Sequence, residues 1–214
     1  MRLDHVSYAT SASCLVDVVQ RIGAELGAGF VDGGRHPRFG TRNFVLPLAG
    51  GTYLEVVSPL DHPAVDRAPF GQAVKARAAD GGGWLGWVVS VDDISAVESR
   101  LGREAVDGNR HRPDGYDLHW KQIGVNDLIT DPQLPFFIQW QVPASEHPSQ
   151  GARSNVRIVG LRIAGEPDYV SRWLGQPTGH LLDDVEVQWL PVDDQDAGLV
   201  SVSLQTASGV VTLD

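Results

Sequence analysis

Two ionisable side chains stand inside otherwise apolar, strand-like runs: His5 in Leu3-Asp4-His5-Val6, and Glu55 in Tyr53-Leu54-Glu55-Val56-Val57. An ionisable group in such a place needs a partner, because burying it alone is costly. A neutral imidazole nitrogen and a carboxylate oxygen brought together are ligands for a divalent metal such as Zn, Mn, Ni or Fe, completed by donors from elsewhere in the chain. A buried His-Glu hydrogen bond, or an outward-facing Glu55, satisfies the same spacing, and spacing alone leans to that plainer arrangement.

Other chemistries find less support. Cys14 is the single cysteine, which excludes an internal disulfide, a CxxC redox pair and thiolate-rich zinc or iron-sulfur sites. Gly81-Gly82-Gly83-Trp84-Leu85-Gly86 meets the GxGxxG spacing. Such a loop cradles phosphate only when it follows a strand and opens a helix, and here a helical pattern precedes it and a strand follows, so it reads as a turn. GxSxG, HExxH and calcium-loop patterns are absent from the sequence. His36, His62, His111, His119, His147 and His180 sit mostly beside Pro, Gly or polar residues and read as loop or surface histidines.

The formal net charge of -10 argues against a nucleic-acid partner, which calls for a basic face. The acidic residues are scattered apart from Asp193, Asp194 and Asp196, so the charge reads as serving solubility. No apolar run approaches the roughly 20 residues of a membrane span, and a signal-peptide pattern is missing, so the expectation is a cytoplasmic protein with no membrane partner.

The elements that must position His5 and Glu55 follow from periodicity. Leu3 to Ala9 alternates as a strand, and Leu15, Val18, Val19, Ile22 and Leu26 recur at helical spacing before Gly27. Glycine and proline punctuation then separates Asn43-Phe44-Val45-Leu46 from the strand Thr52 to Val57, which predicts a β-α-β-β-β unit with one short strand in doubt. The order restarts at Trp84: a strand to Val91, an N-cap at Asp92 or Asp93, a helix through Ile94, Val97 and Leu101, then strands Leu118 to Ile123 and Phe136 to Trp140. Residues 59–83, with a helix through Gln72 to Ala78, join the two units. After a polar linker a third, shorter unit follows, with strands at Val156 to Ala164, Val185 to Leu190, Leu199 to Gln205 and Val210 to Leu213, and a short helix at Tyr169 to Leu174.

Leu3-Asp4-His5-Val6, the segment His36-Pro37-Arg38-Phe39-Gly40-Thr41-Arg42-Asn43, Tyr53-Leu54-Glu55 and Pro135-Phe136-Phe137-Ile138-Gln139-Trp140 together resemble the vicinal oxygen chelate superfamily and its glyoxalase-like proteins. The resemblance covers residues 1–142, with modules at about 1–60 and 84–142. It implies an α+β fold of paired βαβββ modules forming an open, eight-stranded cup, to which residues 156–214 add a third module or a dimerisation unit.

In metal-dependent members the ligands come from the first and last strands of each module, which places them on His5, Glu55, Gly86 and Gln139. Gly86 has no side chain, and Gln139 offers a neutral amide oxygen where many relatives carry a carboxylate. The implied set, His5, Glu55 and Gln139, holds a divalent metal weakly or not at all. The resemblance further implies a pocket for a small-molecule ligand lined by His5, Asn43, Glu55, Trp120 and Gln139, with His36 and Asn43 as polar contacts at its rim and Glu55 as the base. Two functions follow from it: a metal-assisted lyase or isomerase acting on a substrate with adjacent oxygens, or a non-catalytic, bleomycin-resistance-like binding protein. In the second, Trp84, Trp87, Trp120 and Trp140 clasp a planar ligand, although core packing accounts for at least half of them. An iron dioxygenase is disfavoured, since only one of its two usual histidines is placed. A homodimer through residues 156–214 is expected to become monomeric on truncation after residue 150.

Overall fold

The computed structural model describes residues 1–192 and 196–214, so Asp193 and Asp194 of the acidic cluster lie outside the described residues. The first module runs β1 (Arg2–Ala9), α1 (Leu15–Leu26), β2 (Val31–His36), β3 (Thr41–Pro47) and β4 (Tyr53–Pro59). Helix α1 stops where Gly27 takes a left-handed conformation with φ of 61°, open to glycine at little cost. The connecting helix α2 (Pro69–Ala79) starts at a proline, whose missing N–H is no loss in a first turn.

The second module repeats the order as β5 (Gly83–Ser90), α3 (Ile94–Leu101), β6 (Val106–His111), β7 (Asp117–Ile123) and β8 (Phe136–Trp140). Asp93 caps α3, its carboxylate accepting from the Ser95 N–H at 2.9 Å. Strand β2 is the one in doubt from the sequence, and β6 escaped it altogether: Val-Asp-Gly-Asn-Arg-His has little strand propensity and is held by pairing with β7. The third unit comprises β9 (Arg157–Ala164), α4 (Pro167–Leu174), β10 (Glu186–Leu190), β11 (Gly198–Thr206) and β12 (Gly209–Leu213).

The eight strands of the two modules follow one another as β1-β4-β3-β2-β6-β7-β8-β5. β1 and β5 pair antiparallel along their length, which joins the modules firmly on one side. On the other, β2 and β6 meet through the single pair Arg35 and His111. The cup is therefore closed with a thin seam, and clefts open beside it.

The two faces of this sheet bury different things. Outside, Leu3, Val6, Trp84, Trp87 and Phe137 form one core with Leu161, Ile163, Val202 and Leu204 of the second sheet, ordered β10-β9-β11-β12. Trp84 Nε1 donates to the Leu213 carbonyl at 3.3 Å and Trp173 Nε1 to the Pro135 carbonyl at 2.8 Å, tying the third unit to the cup. Inside, a smaller cluster of Val57, Val88, Leu118, Trp120, Phe136 and Ile138 is covered by Phe39, and by Phe70 and Val74 of α2. Trp84 and Trp87 thus serve the outer core and do not reach a ligand in the cup. No helix among the described residues is long and apolar enough to cross a membrane.

Candidate functional site

The inner cluster leaves a void of about 30 Å³ lined by His5, His36, Tyr53, Glu55, Arg110, Gln122, Ile138 and an aromatic wall that includes Phe39, Phe70, Trp120 and Trp140. Two open clefts flank it beside the seam. One, of about 690 Å³, shares His36 with the void, and the other, of about 660 Å³, shares Arg110.

β1 carries His5, whose Nδ1 lies 2.7 Å from Asp4 Oδ1. Asp4 is fully buried, and burial works to raise its carboxyl pKa, but hydrogen bonds from His147 and His5 outweigh this and hold it well below the usual carboxylate range. An ionised carboxylate only accepts, so His5 Nδ1 is the donor, and Nε2 makes no hydrogen bond to another described residue. Trp140 Nε1 and His147 Nε2 donate to the other oxygen of Asp4 at 3.0 and 3.2 Å. The His5 ring stacks on Tyr53 with centroids 4.3 Å apart, which fixes its plane. Burial raises the Tyr53 phenol well above its ordinary value, so it stays neutral.

β4 carries Glu55, and each of its oxygens is held: Ser7 Oγ donates to Oε2 at 2.7 Å and Asn43 Nδ2 to Oε1 at 2.5 Å. Burial alone would push this carboxyl up. The facing His36 and His5 rings and the two hydrogen bonds more than offset it, and the group lies below its ordinary value. Burial drives His36 itself down to about 4, so at neutral pH its ring is uncharged. His36 Nδ1 and Thr41 Oγ1 are 2.9 Å apart, while Nε2 stands 3.8 Å from Glu55 Oε1.

Of the residues expected at the site, His5, His36, Glu55 and Trp120 thus share one cavity and Asn43 braces Glu55. Gln139 does not join them. Its neighbours Ile138 and Trp140 line the void, so Gln139 faces away, where its Oε1 accepts from the Ile94 N–H at 3.2 Å and its Nε2 donates to the Asp92 carbonyl at 2.7 Å. Strand alternation places it at the start of α3 instead of in a ligand set.

A family model described as a glyoxalase-like domain matches residues 3–178. The chain belongs to that family. This glyoxalase-like protein has the vicinal oxygen chelate fold, and a hypothetical protein from Staphylococcus aureus matches it over 100% of this chain and 98% of that one, with TM-score 0.70 and 16% identity. Methylmalonyl-CoA epimerase from Mycobacterium tuberculosis is similar over 66% of this chain and 89% of its own, with TM-score 0.44 and 16% identity. The Streptomyces coelicolor epimerase, solved with 2-nitronate-propionyl-CoA, covers 66% and 99%, with TM-score 0.45 and 18% identity. The likeness to the Staphylococcus aureus protein, at 16% identity, shows the fold alone. No curated protein matches the sequence.

The superfamily implies a divalent metal in the cup, and the residues of this glyoxalase-like protein do not fit one. Gln139 is engaged elsewhere, Gly86 has no side chain, and among the described residues no three His, Cys, Asp or Glu side chains are grouped to hold an ion. Arg110 also brings a fixed positive charge into the same void.

Several residues of the site escaped the sequence reading. Asp4 and His147 did so because their roles depend on meeting His5 and each other in space. Arg110 did so with its strand. A signal for it exists: Val31-Asp32-Gly33-Gly34-Arg35-His36 and Val106-Asp107-Gly108-Asn109-Arg110-His111 are near copies, and they form β2 and β6. His36 and Arg110 both reach the void, one from each copy.

Proposed function

We propose that this glyoxalase-like protein is an enzyme that moves a proton on a small molecule held in the cup, using side chains where metal-dependent members of the superfamily use a metal. The observation that supports this best is the Asp4-His5 hydrogen bond, which leaves His5 Nε2 unclaimed in a void shared with Glu55 and Arg110. In this reading His5 Nε2 takes the proton, since imidazole is the side chain suited to proton exchange at neutral pH. Asp4 holds the ring in one tautomer and, with Glu55, stabilises the imidazolium that forms. Glu55, expected as the base, is assigned this supporting part because a carboxylate held below its ordinary value is a weak proton acceptor. The reactive end of the substrate enters the void while its remainder lies in one of the flanking clefts.

The test is solvent exchange. Small carbonyl compounds and hydroxy acids are incubated with the protein in deuterium oxide and watched by NMR for deuterium uptake at carbon. Exchange catalysed by the native protein should fall at least about 100-fold in His5→Gln, within the range removed with a general base, while circular dichroism stays unchanged. Undiminished exchange in His5→Gln would remove His5 from this role, and loss in Glu55→Gln alone would return the base to Glu55.

A non-catalytic binding role is the second reading, favoured by the aromatic wall in which Trp120 and Trp140 stand 5.4 Å apart. There the same cup sequesters a flat ligand against that aromatic wall. Ligand-dependent quenching of tryptophan fluorescence without exchange or turnover distinguishes it.

A further inference from the structure

We propose that Arg110 is the anchor for a carboxylate, so that the molecules this cup takes are small organic acids. The inference rests on the proton-transfer reading only in placing the ligand in the same void.

The guanidinium is where an unpaired charge is least expected. Arg110 is 4% exposed, and its Nε is buried without a hydrogen-bond partner. No nitrogen of its side chain meets an acceptor among the described residues. Acceptors are not scarce nearby: Arg112, two residues on along the same run of chain, is paired with both Asp114 and Glu146. Glu55 lines the same void but forms no ion pair with Arg110, and its oxygens accept from Ser7 and Asn43 instead. A buried guanidinium in ion-pair contact with no carboxylate among the described residues is an anion site awaiting its anion.

The shape of the site selects among anions. A guanidinium presents parallel N–H groups in a plane and matches the two oxygens of a carboxylate. A void of about 30 Å³ bounded by Trp120, Phe136 and Ile138 has room for a group of only a few atoms, and a carboxylate is smaller than a tetrahedral oxyanion. Arg110 also lines the open cleft with Glu146 and His147, so a ligand has a way in. A carboxylate held there lies beside His5, and charge that develops on it when a neighbouring proton is removed falls next to the guanidinium.

The experiment is a fluorescence titration of the full-length protein with acetate, with its neutral isostere acetamide and with inorganic phosphate, at constant ionic strength. Trp120 and Trp140 line the void and report occupancy. Acetate should give a saturable change that acetamide does not. Arg110→Met should weaken acetate at least tenfold, Arg110→Lys less so, and Glu55→Gln should tighten it by removing a negative charge from the same void. Equal responses to acetate and acetamide, absence of a saturable acetate response, or unchanged acetate affinity in Arg110→Met would overturn the proposal. Phosphate binding more tightly than acetate would overturn the carboxylate assignment. Should Arg110→Met fail to fold, the acetate-acetamide comparison and Glu55→Gln still decide. Binding is read without turnover, so anion binding without deuterium exchange would defeat the proton-transfer reading alone, and exchange on neutral compounds only would defeat this one alone.

Discussion

Asp4 and His5 are adjacent in sequence, yet their side chains meet, Oδ1 to Nδ1, at 2.7 Å. Adjacent residues on a regular strand point to opposite faces. The exception arises from an irregularity in the pairing of β1 with β5, where Leu3 pairs with Val89 and His5 with Val88, leaving Asp4 as the extra residue. The irregularity brings the Asp4 carboxylate to the Nδ1 edge of His5, where it also accepts from Trp140 and His147.

Asp4→Asn should release the His5 tautomer. An amide that donates toward Nδ1 favours the Nε2-H form, which blocks the nitrogen facing the cup. Nitrogen NMR of the imidazoles should show His5 protonated at Nδ1 in the native protein and mixed or reversed in the variant, and proton exchange on substrate should fall about 100- to 10,000-fold. Stability should drop by about 1–3 kcal/mol, because three donors lose a charged acceptor. An unchanged His5 spectrum would show that Asp4 does not set the tautomer.

His36 makes the fold sensitive to mild acid. Its pKa falls from 6.5 to about 4 on burial, so above pH 6.5 the ring is neutral in both folded and unfolded chains and contributes no pH dependence. Between pH 6.5 and about 4 only the unfolded chain takes up the proton, and stability falls as pH drops, by about 3 kcal/mol in total at roughly 1.4 kcal/mol per unit. Asp4 and Glu55, both held below their ordinary values of 3.8 and 4.5, withdraw their contributions at lower pH, largely outside this window. Urea denaturation across pH 4 to 7 should show the decline in the native protein and a flatter line in His36→Gln. Parallel lines would exclude His36 as its source.

Metal should make little difference to the cup. A metal in hundredfold excess over its dissociation constant stabilises a fold by about 2.7 kcal/mol. Addition of Zn, Mn, Ni or Fe after dialysis against chelator should therefore leave the melting temperature within about a degree, since a bound ion at that level would move it by several. A larger rise that His5→Ala abolishes would restore a metal site at His5.

Truncation after residue 150 should unfold the protein. The second sheet supplies Leu161, Ile163, Val202 and Leu204 to the core that covers Leu3, Val6 and Trp87, so its removal bares the outer face of the cup. Loss of the cooperative melting transition is the expected result. A folded monomer would revive the dimerisation role for residues 156–214.

Much of the scaffold was legible because it is local. Helices α1 and α3 declare themselves by the spacing of Leu15, Ile22 and Leu26 and of Ile94 and Val97, and by the glycines that end them. His5 and Glu55 stood out as ionisable groups in apolar strands, and their meeting in one void follows from the parallel pairing of β1 with β4. Gln139 was misplaced because the resemblance gave its strand position but not the face it occupies, and strand parity turns it toward α3.

Sequence by itself determined that two like modules recur and that each carries the same residue types, the second of them in Val106-Asp107-Gly108-Asn109-Arg110-His111. Which of those residues enters the cup was decided only by tertiary structure. In β2 the pairing with β3 slips between Asp32 and Gly34, where a glycine accommodates the extra residue, and this shifts the alternation so that His36 turns inward and Arg35 outward. In β6 the pairing with β7 runs without a slip, so Arg110 turns inward and His111 outward. Because strand side chains alternate with a period of two, one inserted residue exchanges the faces of all that follow. That single residue, set by how two strands pair, gives the cup one histidine and one arginine from two copies of nearly the same sequence.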